Sequence, residues 1–345
     1  MQVKQKTSKS PPLLSTSSCL KVERITLLLF TMKKPIHLSS SPIQKIEESF
    51  LIEKNISLDI LREDLNHPEI QGNKLRKLHY NLLNAKKKGN QTLLTFGGAY
   101  SNHIAAVAAA GKEFGFHTIG LIRGEETTPL NPTLALCVKN GMELHYIDRT
   151  TYRIKHTQDF KDYLRNRFGT FYLIPEGGTN YYAVNGCMEI IKDYSRYDYI
   201  CCPVGTGGTI AGITLANANK SKILGFSALK GGDFLTADIH NHIQLVTNDT
   251  ELTNELMQSF ELNTEFHFGG YAKFTEELLI FVRNFHKKHQ VKWDTIYNGK
   301  MAFGVYELIK ADYFPANSSI LLIHTGGLQS VEGIEQRNNI KVYED

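Results

Sequence analysis

From Ile43 onward, apolar β-rich runs alternate with stretches of helical spacing, and several of the runs end in glycine. Parallel strands need a crossover long enough to hold a helix, so this alternation reads as parallel sheets covered by helices, an α/β fold class. Strands are expected at 92–96, 118–122, 144–147, 171–174, 199–203, 223–227 and 320–324. Glycines follow four of them, at Gly97-Gly98, Gly177-Gly178, Gly205 to Gly208 and Gly326-Gly327. Glycine at the carboxyl ends of parallel strands lets backbone approach a ligand in the crevice such sheets use for binding. Four clusters converging on one ligand would form a site for a phosphate-bearing cofactor.

The chain has 345 residues, 41% hydrophobic and 21% charged, which is room for two domains with buried cores. Its formal charge of +4 is small and dispersed, so neither nucleic acid nor a membrane surface is an expected partner. A small neutral or zwitterionic ligand suits it better. Five cysteines without metal-ligand spacing, including the adjacent pair Cys201-Cys202 in an apolar run, predict a reducing cytoplasm, no structural disulfide and no metal. Residues 1–24 are rich in Ser, Lys and Pro, and the apolar run at 25–30 is too short to cross a bilayer. Met32 opens Met-Lys-Lys-Pro-Ile, so residues 1–31 are expected to be a loose upstream extension.

Three motifs carry chemistry. Val204-Gly205-Thr206-Gly207-Gly208-Thr209 follows a strand and opens a helix, where backbone N–H groups and threonine hydroxyls suit a phosphate. It matches neither the dinucleotide fingerprint nor the P-loop, and the alternative is a tight strand-to-helix turn. In Gly72-Asn73-Lys74-Leu75-Arg76-Lys77-Leu78, helical spacing puts Lys74 at a helix start. There the helix dipole disfavours its charge and would free an amine for Schiff-base chemistry. The alternative is a solvated basic face shared with Arg76 and Lys77. Ser101-Asn102-His103 precedes an Ala-rich helix, and is either a cap, a carboxylate site, or both.

Together with Pro175-Glu176-Gly177-Gly178-Thr179-Asn180 and Tyr297-Asn298-Gly299-Lys300, these motifs resemble the 1-aminocyclopropane-1-carboxylate deaminase and D-cysteine desulfhydrase family of pyridoxal-phosphate enzymes. The resemblance spans residues 40–335. It implies a fold like the tryptophan synthase β-subunit, fold type II, with two open parallel-type sheets and pyridoxal 5'-phosphate in the cleft between domains. Residues 32–82 with 186–345 would form the large domain and 83–185 an inserted smaller one. Lys74 would hold the cofactor as a Schiff base and carry the substrate α-proton, leaving Lys77 as a decoy. Gly205, Thr206, Gly207, Gly208 and Thr209 would bind its phosphate, with Asn73 beside them. Asn102 would meet its phenolic oxygen, and Ser101 the substrate carboxylate. Tyr271 and Tyr297 match two active-site tyrosines, candidates for general acid or base. A homodimer is also implied.

Two positions separate the branches of that family. The ring-opening deaminases carry Glu after the motif tyrosine, beside the pyridine nitrogen, and Leu between His and Gly-Gly; here these are Asn298 and Thr325. Both differences point to β-elimination from a D-amino acid, D-cysteine giving pyruvate, ammonia and sulfide. Ala105-Ala106 and Ala272-Lys273-Phe274 depart from common family sequences at the pocket border. Ring opening of 1-aminocyclopropane-1-carboxylate is the enzymatic alternative. A non-catalytic phosphate-ligand or nucleotide-binding protein sharing the glycine turns is the alternative of another class.

Overall fold

The computed structural model describes residues 40–126, 128–193 and 195–344. The expected extension at 1–31 lies outside them. Ten strands form two sheets: β1 (Ile43–Ile46), β2 (Ser57–Leu61), β3 (Thr92–Gly98), β4 (His117–Arg123), β5 (Met142–Ile147), β6 (Tyr172–Ile174), β7 (Tyr199–Val204), β8 (Lys222–Ser227), β9 (Phe260–Asn263) and β10 (Ser319–Ile323). The larger sheet runs β1-β2-β10-β7-β8-β9 and the smaller β5-β4-β3-β6. Every described pairing is parallel except β1 with β2, which is antiparallel at the sheet edge.

All seven expected strands form, with ends shifted by two residues at most. β1, β2 and β9 were not expected. β1 and β9 are edge strands of four residues with half-exposed side chains, so neither carries the continuous apolar run that marks a central parallel strand.

Alternation along the central strands places successive side chains in opposite layers. Cys201 packs with Leu322 and Trp293 on one face of the large sheet, while Ile200 and Cys202 pack with Ile323 and Ile213 on the other. The two adjacent thiols therefore point apart, and Cys137, Cys187, Cys201 and Cys202 are all free and buried. In the small sheet Leu93 and Leu94 divide in the same way. Each of these fully buried aliphatic side chains contributes about 1.5–3 kcal/mol relative to exposure. Among the described residues no helix is long and apolar enough to cross a membrane, and no His, Cys, Asp and Glu cluster could hold a metal ion.

Four helices frame the region where the strands' carboxyl ends meet: α1 (Asn73–Lys87), α2 (Asn102–Phe114) after β3, α3 (Gly208–Asn217) after β7 and α4 (Asn298–Lys310).

Candidate active site

Lys74 is the second residue of α1, and the backbone before it is set by Gly72 at φ 68°. A Cβ on Gly72 would lie 1.9 Å from the Thr325 carbonyl oxygen, so only glycine allows the lysine helix to start against the turn after β10. Asn73 N–H donates to that carbonyl at 3.1 Å, and Asn73 Nδ2 donates to Thr209 Oγ1 at 2.8 Å. Lys74 Nζ in turn donates to Asn73 Oδ1 at 3.0 Å. One short chain of bonds thus ties the amine to both glycine turns of the large sheet.

These groups line a cleft of about 740 Å³, its solvent mouth included, bordered by Asn73, Lys74, Ser101, Asn102, Gly205, Thr206, Gly207, Thr209, Tyr271, Tyr297 and Thr325. Eleven of the thirteen residues singled out from sequence are therefore brought together. The glycine clusters after β6, β7 and β10 reach the cleft directly, while Gly97 sits behind the Ser101 side chain.

The Lys74 amine is drawn down to about 7. Burial among protein groups is the main cause and the nearby Lys77 charge the second, with Cys187 and Asp294 pulling the other way. The expected lowering is therefore present, with burial and a neighbouring cation as its leading causes. The side chain keeps partial exposure toward the cleft, and the desolvation comes from the protein walls on its other sides.

Lys77 is not the solvated cation of the alternative reading: Lys77 and Arg76 are 3% and 2% exposed. Arg76 pairs with the buried Glu63 at 2.7 Å. Lys77 Nζ donates to the Gly177 carbonyl at 3.1 Å and to Thr179 Oγ1 at 2.9 Å, and lies 3.5 Å from Thr206 Oγ1. No carboxylate pairs with it among the described residues, and burial pushes its amine below the usual lysine range. Helical periodicity marked Leu75 and Leu78 as core, but did not reveal that the segment 177–179 and Thr206 close over the face carrying Lys77.

Asn298 and Gly208 are the two expected residues that do not line the cleft. Asn298 is fully buried: Nδ2 donates to Asp294 Oδ2 at 2.5 Å and to the Gly326 carbonyl at 2.8 Å, while Oδ1 accepts from Thr325 N at 2.8 Å and Oγ1 at 3.1 Å. Its hydrogen-bonding capacity is filled by protein, and Thr325 is the side chain that meets the cleft in its place. Gly208 turns toward Thr179.

Ser101 caps α2, its Oγ accepting from Ile104 N at 3.3 Å. His103, quoted in its motif but given no role there, also borders the cleft. Its Nε2 lies 2.8 Å from Thr95 Oγ1, which already donates to the Ile174 carbonyl, so the imidazole is the donor. Burial and the two lysines hold His103 well below the usual range, hence neutral. The Tyr271 and Tyr297 rings stand edge to face with centroids 5.9 Å apart. Burial raises both phenols, Tyr297 well above its usual value, so both are protonated near neutral pH. Tyr271 nevertheless remains 47% exposed at the cleft mouth.

The site fits a phosphorylated aldehyde. A buried cation without a carboxylate partner stands beside the β7 turn, and a Cβ on Gly205 would close the space to 2.9 Å from the Tyr297 ring. Asn102 Oδ1 is buried with no hydrogen-bond partner. The reactive requirement, an amine titrating near neutrality, is met by Lys74.

Comparison with known proteins agrees. A Thermotoga maritima protein provisionally named 1-aminocyclopropane-1-carboxylate deaminase is 28% identical over 310 residues, covering 86% of this chain and 96% of that protein. The bifunctional D-cysteine desulfhydrase/1-aminocyclopropane-1-carboxylate deaminase, mitochondrial, of Arabidopsis thaliana is 28% identical, over 78% of this chain and 72% of its own. A crystal structure of an ACC deaminase homologue superposes with a TM-score of 0.73 at 26% identity, covering 91% of this chain and 97% of the other. The fold is shared more widely, as with tomato threonine deaminase isoform 2 at a TM-score of 0.60, 16% identity and coverage of 95% and 90%. The family described as pyridoxal-phosphate dependent enzyme matches residues 41–326, and the chain belongs to that family.

Proposed function

We propose that this enzyme is a lyase eliminating the β-substituent of a small amino acid, with D-cysteine and one water giving pyruvate, ammonia and hydrogen sulfide. The observation that carries this reading is the charge of the cleft lining: two lysines and no aspartate or glutamate. Such a lining attracts a phosphate and a substrate carboxylate, and lacks an anion to hold a ring nitrogen protonated. A weaker electron sink suffices when sulfide leaves readily, and suits opening of a cyclopropane ring less well.

When bound, pyridoxal phosphate supplies the electron sink for the charge left on removing the α-proton. The protein's own residues do the rest. Lys74 would bind the aldehyde and, once displaced as a neutral amine by the substrate, take the α-proton, which balances the proton that the leaving sulfur carries away. Lys77, Thr206 and the N–H groups of 205–209 hold the phosphate, Asn73 and Thr209 fixing the lysine helix to that turn. Asn102 would meet the ring's phenolic oxygen, and Thr325 lines the cleft beside it. Ser101 and the first turn of α2 receive the substrate carboxylate. Tyr297 and Tyr271 keep a phenolic proton available for the leaving sulfur.

We further read residues 32–82 with 186–345 as the large domain, 83–185 as the inserted one, and the working form as a cytoplasmic homodimer. The names of the relatives favour a second reading, deamination of 1-aminocyclopropane-1-carboxylate. Supplying D-cysteine, L-cysteine and that amino acid separately, and measuring sulfide, pyruvate and 2-oxobutyrate, decides between them. Sulfide from D-cysteine alone supports the first reading; 2-oxobutyrate without sulfide overturns it. A protein with no near-visible band and no borohydride-sensitive adduct with pyridoxal phosphate would overturn both.

A further inference from the structure

We infer that Lys300 is a positioning residue that pins the turn carrying Tyr271, so that one turn of α4 sets both tyrosines of the cleft. Lys300 is 1% exposed. Its Nζ donates to the His267 carbonyl at 2.8 Å and to the Gly270 carbonyl at 2.7 Å, the two carbonyls that bracket the turn immediately before Tyr271.

A buried ammonium is expensive to desolvate, and no carboxylate lies within ion-pair distance of it among the described residues. Burial draws the amine down to about 8, against the upward pull of the more distant Asp294. Two main-chain carbonyls are its hydrogen-bond partners among the described residues, and the turn they belong to needs holding. Phe268 and Ala272 adopt φ of 50° and 55°, conformations that side-chain-bearing residues avoid unless their surroundings impose them. The turn keeps bonds of its own, Gly270 N to His267 O at 3.0 Å and Lys273 N to Gly270 O at 3.2 Å. It is then gripped twice by α4: by Lys300, and by Phe303, whose ring meets Phe268 edge-on at 5.0 Å.

Tyr297 immediately precedes α4, three residues before Lys300. The same helical turn therefore fixes Tyr297 through the backbone and Tyr271 through the lysine. Tyr271 is half-exposed at the mouth, its ring 5.9 Å from that of Tyr297 and its hydroxyl hydrogen-bonded to it, so loosening the turn would disturb this pair. The kinetic consequence rests on the lyase reading above; the mechanical one does not.

The test uses the cofactor-loaded enzyme. Lys300→Met keeps the stem and removes the donors, and Lys273→Met, in the same turn, serves as control. Amide hydrogen exchange over 267–273 should quicken about tenfold or more in Lys300→Met and not in Lys273→Met, with the near-visible cofactor band unchanged. On D-cysteine, Lys300→Met and Tyr271→Phe should each lower kcat about tenfold, and the double variant should fall no further than either alone. Lys300→Gln, which retains N–H donors, should recover part of both effects. Unchanged exchange in the turn overturns the inference, as does additive loss in the double variant. Failure of both Lys300 variants to fold would make the lysine a general core element and also overturn it. If the wild type turns over no amino acid, the lyase reading fails while the exchange result still decides this one.

Discussion

The Lys77 ammonium stands 2.9 Å from the Thr179 hydroxyl and 3.5 Å from that of Thr206, inside the turn offered to a phosphate. A charge-assisted contact of this kind, shielded from water, is worth about 2 kcal/mol or more, roughly a 30-fold change in affinity. Lys77→Met should weaken retention of pyridoxal phosphate by about that factor while leaving borohydride trapping at Lys74 possible. Equilibrium dialysis measures it, and retention equal to wild type would remove Lys77 from the phosphate site.

The Lys74 amine, drawn down to about 7, sets a pH dependence. Only the unprotonated amine attacks an aldehyde, so condensation of the cofactor-free protein with pyridoxal should rise with pH through about 7 and then level. An ordinary lysine would keep rising toward about 10. The Lys77 charge lowers this amine, so Lys77→Met should move the inflection upward. Absorbance at the near-visible band follows both. Lys74→Ala should abolish the band and reduce turnover by about a thousandfold or more.

Gly72→Ala would place a Cβ 1.9 Å from the Thr325 carbonyl at φ 68°. Neither atom belongs to a flexible side chain, so the backbone must move. A loss of about 3 kcal/mol or more is expected in urea unfolding, with weaker cofactor binding because the lysine helix and the β10 turn separate.

Asn298→Asp replaces the amide that donates to Asp294 with a second carboxylate at 2.5 Å. Two buried like charges should destabilise the fold by about 3 kcal/mol at neutral pH. The folded pair binds a proton more tightly than the unfolded chain does, so stability relative to wild type should recover as pH falls from 7 toward 4. Thermal melts across that range read the sign, and a deficit that does not shrink with acid would place Asp294 elsewhere in the charge balance.

What could be read in advance follows physical lines. The four glycine turns were visible because a close backbone approach leaves a compositional mark, and Lys74 because its place at a helix start is a local property. The burial of Lys77 and Asn298 was illegible for the opposite reason. Lys77 looked like part of a basic face until the segment 177–179 and Thr206 folded over it. Asn298 has its four hydrogen bonds to Asp294, Thr325 and Gly326, partners set by how α4 meets the β10 turn. β1 and β9 escaped because half-exposed edge strands of four residues are hardly distinguishable from loops.

The middle of the large sheet is occupied by its last-made strand, β10, between β2 and β7. On the ribosome, then, the small sheet's four strands, all within 92–174, can associate while the large one is still two separate pieces. A nascent chain halted before residue 319 would display raw strand edges, a target for chaperones, and could not yet capture its coenzyme. Loading has to wait until β10 has been made.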